Sequence, residues 1–507
     1  MMNHRIFLLL ALCLFSLQGV FAESNGVQEK RESYQGKTPK YVFYFIGDGF
    51  GLSQSNAAEA YMAAVKDKDG VVRMVMNTFP KQGFYTTYAQ NRFITGSAAA
   101  GTALATGHKT SINTIGMDAA KQKPYKSIAE KARDHGYKVG VVTSVSLDHA
   151  TPASFYAHRP SRNDYYDISV DLANSNFNFF GGGGIKHPEG DKKAKKSKSS
   201  AANMGLDSGE KINGGKKNSL QIAKKNGYTI VNSNDDFNKI KAGDDKIIAI
   251  NEKLSGGKSL PYSIDQKEGA LSLADYTQKA IDVLDNDQKG FFLMVEGGKI
   301  DWSCHANDAA TAIKEVIQFD NAIQKAYAFY EAHPDETLIV VCGDHETGGL
   351  GLGFSGSHYH SAFKLLENQK NSYEVFSSKI SKLKRKKASF DKVLKAVEEN
   401  YGFNNGVKAM KLSDYELSQL KQAYDQSFGK GDKIENKDQY YQLYGSYEPI
   451  TVTAGHILAQ KAGIGWTTFS HTATPIPVRA IGSGSTLFEG YFDNTDLPKN
   501  IEVLMNL

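Results

Sequence analysis

Four short apolar, β-rich runs, at 41–46, 139–145, 291–295 and 337–341, alternate with stretches of helical spacing and predict buried parallel strands. Helices are expected between them at 97–106, 127–135, 276–284 and 308–328. The pattern implies an α/β fold in which a mostly parallel central sheet is flanked by helices. Two segments depart from it. The Lys-, Ser- and Gly-rich stretch near 186–218 lacks apolar periodicity and reads as a solvated surface insertion. The second, 354–449, is rich in Lys and Tyr and reads as a subdomain inserted into a core formed by 40–353 and 450–507. Its basic run at 382–387 is expected as a solvated helix face, followed by a helix over 390–399.

The polar positions add chemistry to this pattern, because each predicted strand runs into a potential ligand at its carboxyl end. That edge is where α/β sheets build sites. The first strand delivers Asp48, the second leads to His149 and Thr151, the third to Glu296, and the fourth to Asp344 and His345. So many acids at one edge repel one another unless cations neutralise them. Asp301 and His305 are four residues apart, on one face of a helical turn, and follow Glu296 across Gly297-Gly298. His471 stands before Pro475 and a strand-like run at 478–481, where it could return as a late ligand, although a histidine taken alone is more often structural. Mixed nitrogen and oxygen ligands suit zinc, whereas carboxylates with Thr151 form an all-oxygen set that suits magnesium.

The segment Thr95-Gly96-Ser97-Ala98-Ala99-Ala100-Gly101 puts a serine at a predicted helix start among small residues. Such a terminus offers unpaired N–H groups and positive dipole to an anion. A plain capping serine is the alternative, but beside metals the hydroxyl can ionise and attack phosphorus. Two glycine-rich segments lack the rest of a nucleotide-binding signature. Gly47-Asp48-Gly49-Phe50-Gly51 has Leu52 where the third fingerprint glycine should stand, and 181–184 lacks a following Gly-Lys-Ser/Thr and is expected as a flexible turn.

Composition narrows the setting. The chain has 507 residues, 40% of them hydrophobic, with a formal net charge of +5, so there is material for a large core and no strong field implying nucleic acid. Residues 1–22 pair Arg5 with an apolar run and end in Val20-Phe21-Ala22, as a secretory signal does. The run falls short of the roughly 20 residues that span a bilayer, so no membrane anchor is expected once the signal is removed. Leu12 before Cys13 argues against lipidation, and 23–39 reads as a linker. The remaining cysteines, Cys304 and Cys342, are expected as buried free thiols rather than a disulfide.

The sequence resembles the alkaline phosphatase family in Phe45-Ile46-Gly47-Asp48-Gly49, 95–107, His149-Ala150-Thr151-Pro152, 295–305 and Gly343-Asp344-His345, and again around His471. The resemblance implies an alkaline phosphatase-like fold and hydrolysis of phosphate monoesters through a phosphoserine on Ser97. It assigns Asp301, His305 and His471 to one zinc ion, and Asp48, Asp344 and His345 to a second. Asp48, Thr151 and Glu296 would hold a magnesium ion, and Arg162 would clamp the substrate phosphate, since an Arg can hold two oxygens at once. Sulfatases need a modified Cys that Ser97 does not offer, and Thr151, Glu296 and Arg162 favour a monoester over a diester. Three positions depart from the best-known bacterial pattern: His149 stands for Asp and Trp302 for Lys, both at the outer shell of the third metal, and Gly96 stands for Asp before Ser97. The first two exchange an anionic outer ligand for an imidazole at the third metal and remove a lysine there, and Gly96 leaves Arg162 without the acid that would orient it. A periplasmic or secreted enzyme is implied, with homodimerisation left open.

Overall fold

The computed structural model describes residues 28–31, 33–190, 217–285 and 288–507; the expected signal segment and most of the 186–218 insertion lie outside the described residues. The strands are β1 (Tyr41–Gly47), β2 (Lys81–Thr86), β3 (Lys138–Thr143), β4 (Phe179–Gly182), β5 (Thr229–Val231) and β6 (Ile247–Ile250). They continue with β7 (Phe291–Gly297), β8 (Thr337–Gly343), β9 (Glu346–Thr347), β10 (His471–Thr472), β11 (Ile476–Gly482) and β12 (Gly490–Asp493). A ten-stranded sheet has the order β12-β2-β11-β8-β1-β7-β3-β4-β6-β5, and β9 pairs with β10 separately.

The central strands are apolar on both faces because both faces are covered. Along β1, Tyr41, Phe43 and Phe45 enter one buried cluster, and Val42, Tyr44 and Ile46 enter another on the opposite face. The first cluster is closed by the helices Leu273–Leu284 and Ala309–Ala332, the second by Ser97–Thr106 and Ile128–Asp134. These are the four helices that the spacing predicts, with ends shifted by a few residues.

Register sets the working edge. β1 pairs in parallel with β7 and β8 so that Gly47 lies level with Gly297 and with Gly343. A Cβ on Gly343 would collide with the Phe50 carbonyl, so a glycine there lets the chain after β1 fold tightly over the end of β8. β11 runs antiparallel to both β2 and β8. It therefore starts at the edge where the parallel strands finish, which brings the preceding His471 to that edge.

The expectation of a flexible turn at 181–184 is corrected. Gly181 and Gly182 belong to β4, paired with β3 and β6 inside the sheet. Gly182 has φ of 124°, and a Cβ there would strike the Thr143 carbonyl, so the glycines serve close strand approach rather than freedom of the chain.

Within 354–449 lie the helices Tyr373–Arg385, Phe390–Tyr401, Asp414–Phe428 and Lys437–Tyr444. Phe376, Val397, Tyr401 and Leu420 join Ile457 and Leu458 of the helix Pro449–Lys461 in the same apolar cluster that covers one face of the sheet. Lys382, Lys384 and Arg385 are exposed at the end of their helix, as the basic run suggests.

Candidate functional site

The ends of β1, β7 and β8 deliver Asp48, Glu296 and Asp344, all fully buried. The helix Lys299–His305 follows β7 and places Asp301 and His305 one turn apart, with Nε2 of His305 3.3 Å from Oδ1 of Asp301. His471 arrives from β10, with its Nε2 3.0 Å from that of His305 and 3.6 Å from Oδ1 of Asp301. His345 fills the space between, its Nε2 3.4 Å from Asp48 Oδ1 and 3.3 Å from Asp344 Oδ2.

Three sets of side chains among the described residues are close enough to share a cation: Asp301, His345 and His471; Asp48, Asp344 and His345; and Asp48, His149 and Glu296, with ligand atoms within 4.8 Å of one another in each. The buried oxygens fit this reading. Both carboxylate oxygens of Asp48, Glu296 Oε1, Asp344 Oδ2 and Thr151 Oγ1 lack a hydrogen-bond partner. Buried polar atoms left this way are costly unless something compensates them.

The electrostatics agree. Burial, reinforced by the charges of Asp344, Asp301 and Glu296, pushes the Asp48 carboxyl well above the usual range. Burial likewise raises Glu296 to about 8 and Asp344 to about 7. Burial also opposes ionisation of Asp301, but the neighbouring His305, His471 and His345 rings bring it down to about 2. Three of the four acids are thus frustrated as anions, the condition that bound cations relieve.

Ser97 opens the buried helix Ser97–Thr106, and Gly96 occupies the N-cap without a side-chain bond. This excludes the plain capping role. Its Oγ lies 3.5 Å from Nε2 of His345, placing the hydroxyl against the metal-binding cluster.

Arg162 donates through Nη2 to Nε2 of His149 at 3.0 Å. The expected lack of an orienting partner is therefore corrected: no acid pairs with Arg162 among the described residues, but an imidazole takes that place. The same ring stands among the third set of candidate ligands, nearer than an outer-shell position requires. Trp302 supplies no ligand atom and lies edge-on to His149, with ring centroids 5.7 Å apart.

The sequence reading missed several supports. Thr347 Oγ1 donates to Asp301 Oδ1 at 2.6 Å, Thr143 Oγ1 donates to Glu296 Oε2, and the Gly49 and His345 N–H groups donate to Asp344 Oδ1 at 3.0 and 2.8 Å. Thr347 follows Asp344-His345-Glu346 closely enough to have been a candidate, whereas Thr143 meets Glu296 only through the β3–β7 register. Cys304 and Cys342 are buried free thiols, as expected. No helix among the described residues is long and apolar enough to cross a membrane.

This arrangement has relatives. "Alkaline phosphatase 3" of Bacillus subtilis is 30% identical over 506 residues, covering 98% of this chain and 95% of that protein. The crystal structure of a cold-active alkaline phosphatase from the psychrophile Shewanella sp. matches with a TM-score of 0.72 at 28% identity, covering 92% of this chain and 99% of that one. A histidine-to-glutamate mutant of TAB5 alkaline phosphatase, solved with Mg bound in its M3 site, matches with a TM-score of 0.61 at 26% identity, covering 93% of this chain and 99% of that one. The family profile described as alkaline phosphatase matches residues 39–507. On that match, over the whole of the sheet and its site, the chain belongs to the alkaline phosphatase family of phosphate monoester hydrolases.

Proposed function

We propose that Ser97 is the nucleophile and that a phosphoserine forms on it during turnover. The observation that carries this is the uncapped Ser97 hydroxyl at a buried helix start, 3.5 Å from His345 Nε2. Its Oγ gives up its proton and attacks phosphorus, forming the Oγ–P bond as the bond to the alcohol oxygen breaks, and that oxygen takes up a proton as it leaves. Water then cleaves the phosphoserine, releasing inorganic phosphate and restoring the hydroxyl. The amino terminus of the helix Ser97–Thr106 directs its dipole at the phosphoryl oxygens. Arg162 turns from His149 to hold two of those oxygens, which demands a dianionic monoester end and fixes phosphorus for in-line attack.

Two zinc ions and a third cation would be held here: Asp301, His305 and His471 would hold one zinc, with His345 in place of His305 in the group that stands closest together, and Asp48, Asp344 and His345 would hold the other. Asp48, Thr151 and Glu296, with His149, would hold the third ion. When bound, these ions supply the positive charge that eases ionisation of the Ser97 hydroxyl, of the departing alcohol and of the attacking water. A third cation position is supported by the TAB5 mutant with Mg bound in its M3 site.

The test is acid quenching of enzyme with labelled aryl phosphate. Label on Ser97 in the wild type, with zinc retained and turnover lost in Ser97→Ala, is expected. An unlabelled wild type, or near-normal turnover in Ser97→Ala, refutes the assignment.

A further inference from the structure

The two imidazoles of the first zinc set are each fixed through the far ring nitrogen. His305 donates from Nδ1 to the Phe469 carbonyl at 2.6 Å, and His471 donates from Nδ1 to the Thr95 carbonyl at 2.8 Å. With Nδ1 carrying the proton, each Nε2 presents its lone pair to the ion, so the position of the Phe469 carbonyl governs His305.

Asn307 holds the peptide immediately before that carbonyl. It follows the helix Lys299–His305 by two residues, is 2% exposed and has φ of 52°, a left-handed conformation that Asn tolerates. Its Nδ2 donates to the Cys304 carbonyl at 2.8 Å and to the Thr468 carbonyl at 3.0 Å. Its Oδ1 accepts from His456 Nε2 at 3.0 Å. The amide is therefore engaged on both ends and cannot flip. It ties the end of the helix carrying Asp301 and His305 to the segment just before His471. His456 comes from the helix Pro449–Lys461 and also stacks on Phe469, with centroids 5.9 Å apart and ring planes at 27°.

We propose that Asn307, oriented by His456, is a positioning residue that sets the zinc affinity of the Asp301, His305 and His471 set. This rests on the assignment of a zinc ion to that set. Asn307 touches neither substrate nor ion; it acts by holding the Thr468 carbonyl, one peptide before the Phe469 carbonyl that fixes His305.

The test uses whole purified protein, stripped of metal and titrated with zinc against a chromophoric chelator. Asn307→Asp keeps volume and backbone preference but turns two donors into acceptors facing two carbonyls. It should weaken one zinc event by roughly ten- to a hundredfold, as loss of a supporting hydrogen bond does, and leave the other within about twofold. His456→Ala should weaken the same event, and His456→Gln, which retains an N–H donor, should recover part of the loss. Zinc affinities equal to wild type in a folded Asn307→Asp, or equal weakening of both events, overturn the proposal. If Asn307→Asp does not fold, the His456 pair decides: unchanged affinity in both variants overturns it as well. Wild-type protein that binds no zinc refutes the assignment of the site itself, whereas normal wild-type binding with unaltered variants removes only the role of Asn307.

Discussion

Arg162 rests on His149, with Nη2 3.0 Å from Nε2, and only a neutral imidazole can accept that bond. Burial, with the nearby Arg162 charge, holds the His149 ring well below its ordinary range, so it stays neutral at neutral and alkaline pH. A neutral ring has one lone pair. It can serve Arg162 or a cation in the third set, but not both. A cation at His149 thus frees Arg162 for substrate.

His149→Ala should therefore remove a bond that Arg162 has to break before it clamps phosphate. Such a bond is worth on the order of 1 kcal/mol, so with no third cation present the inhibition constant for inorganic phosphate should fall about fivefold. Adding Gly96→Asp should orient the freed guanidinium and lower the constant further. A Cβ at Gly96 meets nothing nearer than His471 Cε1 at 3.8 Å, so the carboxylate has room. Phosphate inhibition assays at saturating zinc measure both steps; no change in His149→Ala would show that the contact does not restrain Arg162.

Exchanging His149 for Asp and Trp302 for Lys should tighten magnesium at the third position by roughly tenfold, because an anionic oxygen suits magnesium better than a ring nitrogen. Activity titrated with magnesium at fixed zinc gives the half-saturating concentration. A value equal to or above that of the wild type contradicts this reading.

Exhaustive chelation should abolish turnover, and zinc with a third cation should restore it, since the buried acids cannot stay ionised together without counter-charge. Asp301→Ala should bind one zinc fewer. Elemental analysis alongside the assay decides, and full activity in verified metal-free protein would contradict it.

A pH test concerns the segment that carries Arg162. His158 donates to Glu130 Oε1 at 3.1 Å and to the Gly116 carbonyl at 2.9 Å, a pairing that requires the charged ring. Burial lowers His158, but Glu130 outweighs it and the net shift is above 6.5. Burial raises Glu130, but His158 outweighs it and the net shift is below 4.5. The histidine's contribution is complete below 6.5 and lost as pH rises through its raised value; the acid's is complete above 4.5 and lost as pH falls through its lowered one. His158→Gln should therefore cost roughly 1–2 kcal/mol near pH 5.5 and much less at about pH 9, read from denaturant unfolding. A cost independent of pH would contradict the charged pairing.

Much of this site was legible in the chain because local rules place it. Asp48, Glu296 and Asp344 end strands whose apolar runs are unmistakable, Asp301 and His305 share a helical turn, and Ser97 starts a helix. What escaped depends on partners distant in sequence. The His149 contact with Arg162 needs the turn after β3 folded against the 158–162 segment. The Asn307 tie to Thr468 and His456 joins residues whose only common property is their meeting in space. The glycines of β4 misled for a related reason: the strand that β3 and β6 impose there has no periodicity of its own to betray it.

The place of β11 between β2 and β8 has a consequence for assembly. Until that late strand inserts, β2 has no bond to the rest of the sheet, and β8 presents an open edge through which a nascent chain can pair with others. His471 enters by the same movement, so the candidate ligand set around Asp301 is complete only when the C-terminal strands are home. A chain interrupted before His471 therefore keeps the β8 edge open and lacks one of the candidate ligands Asp301, His345 and His471.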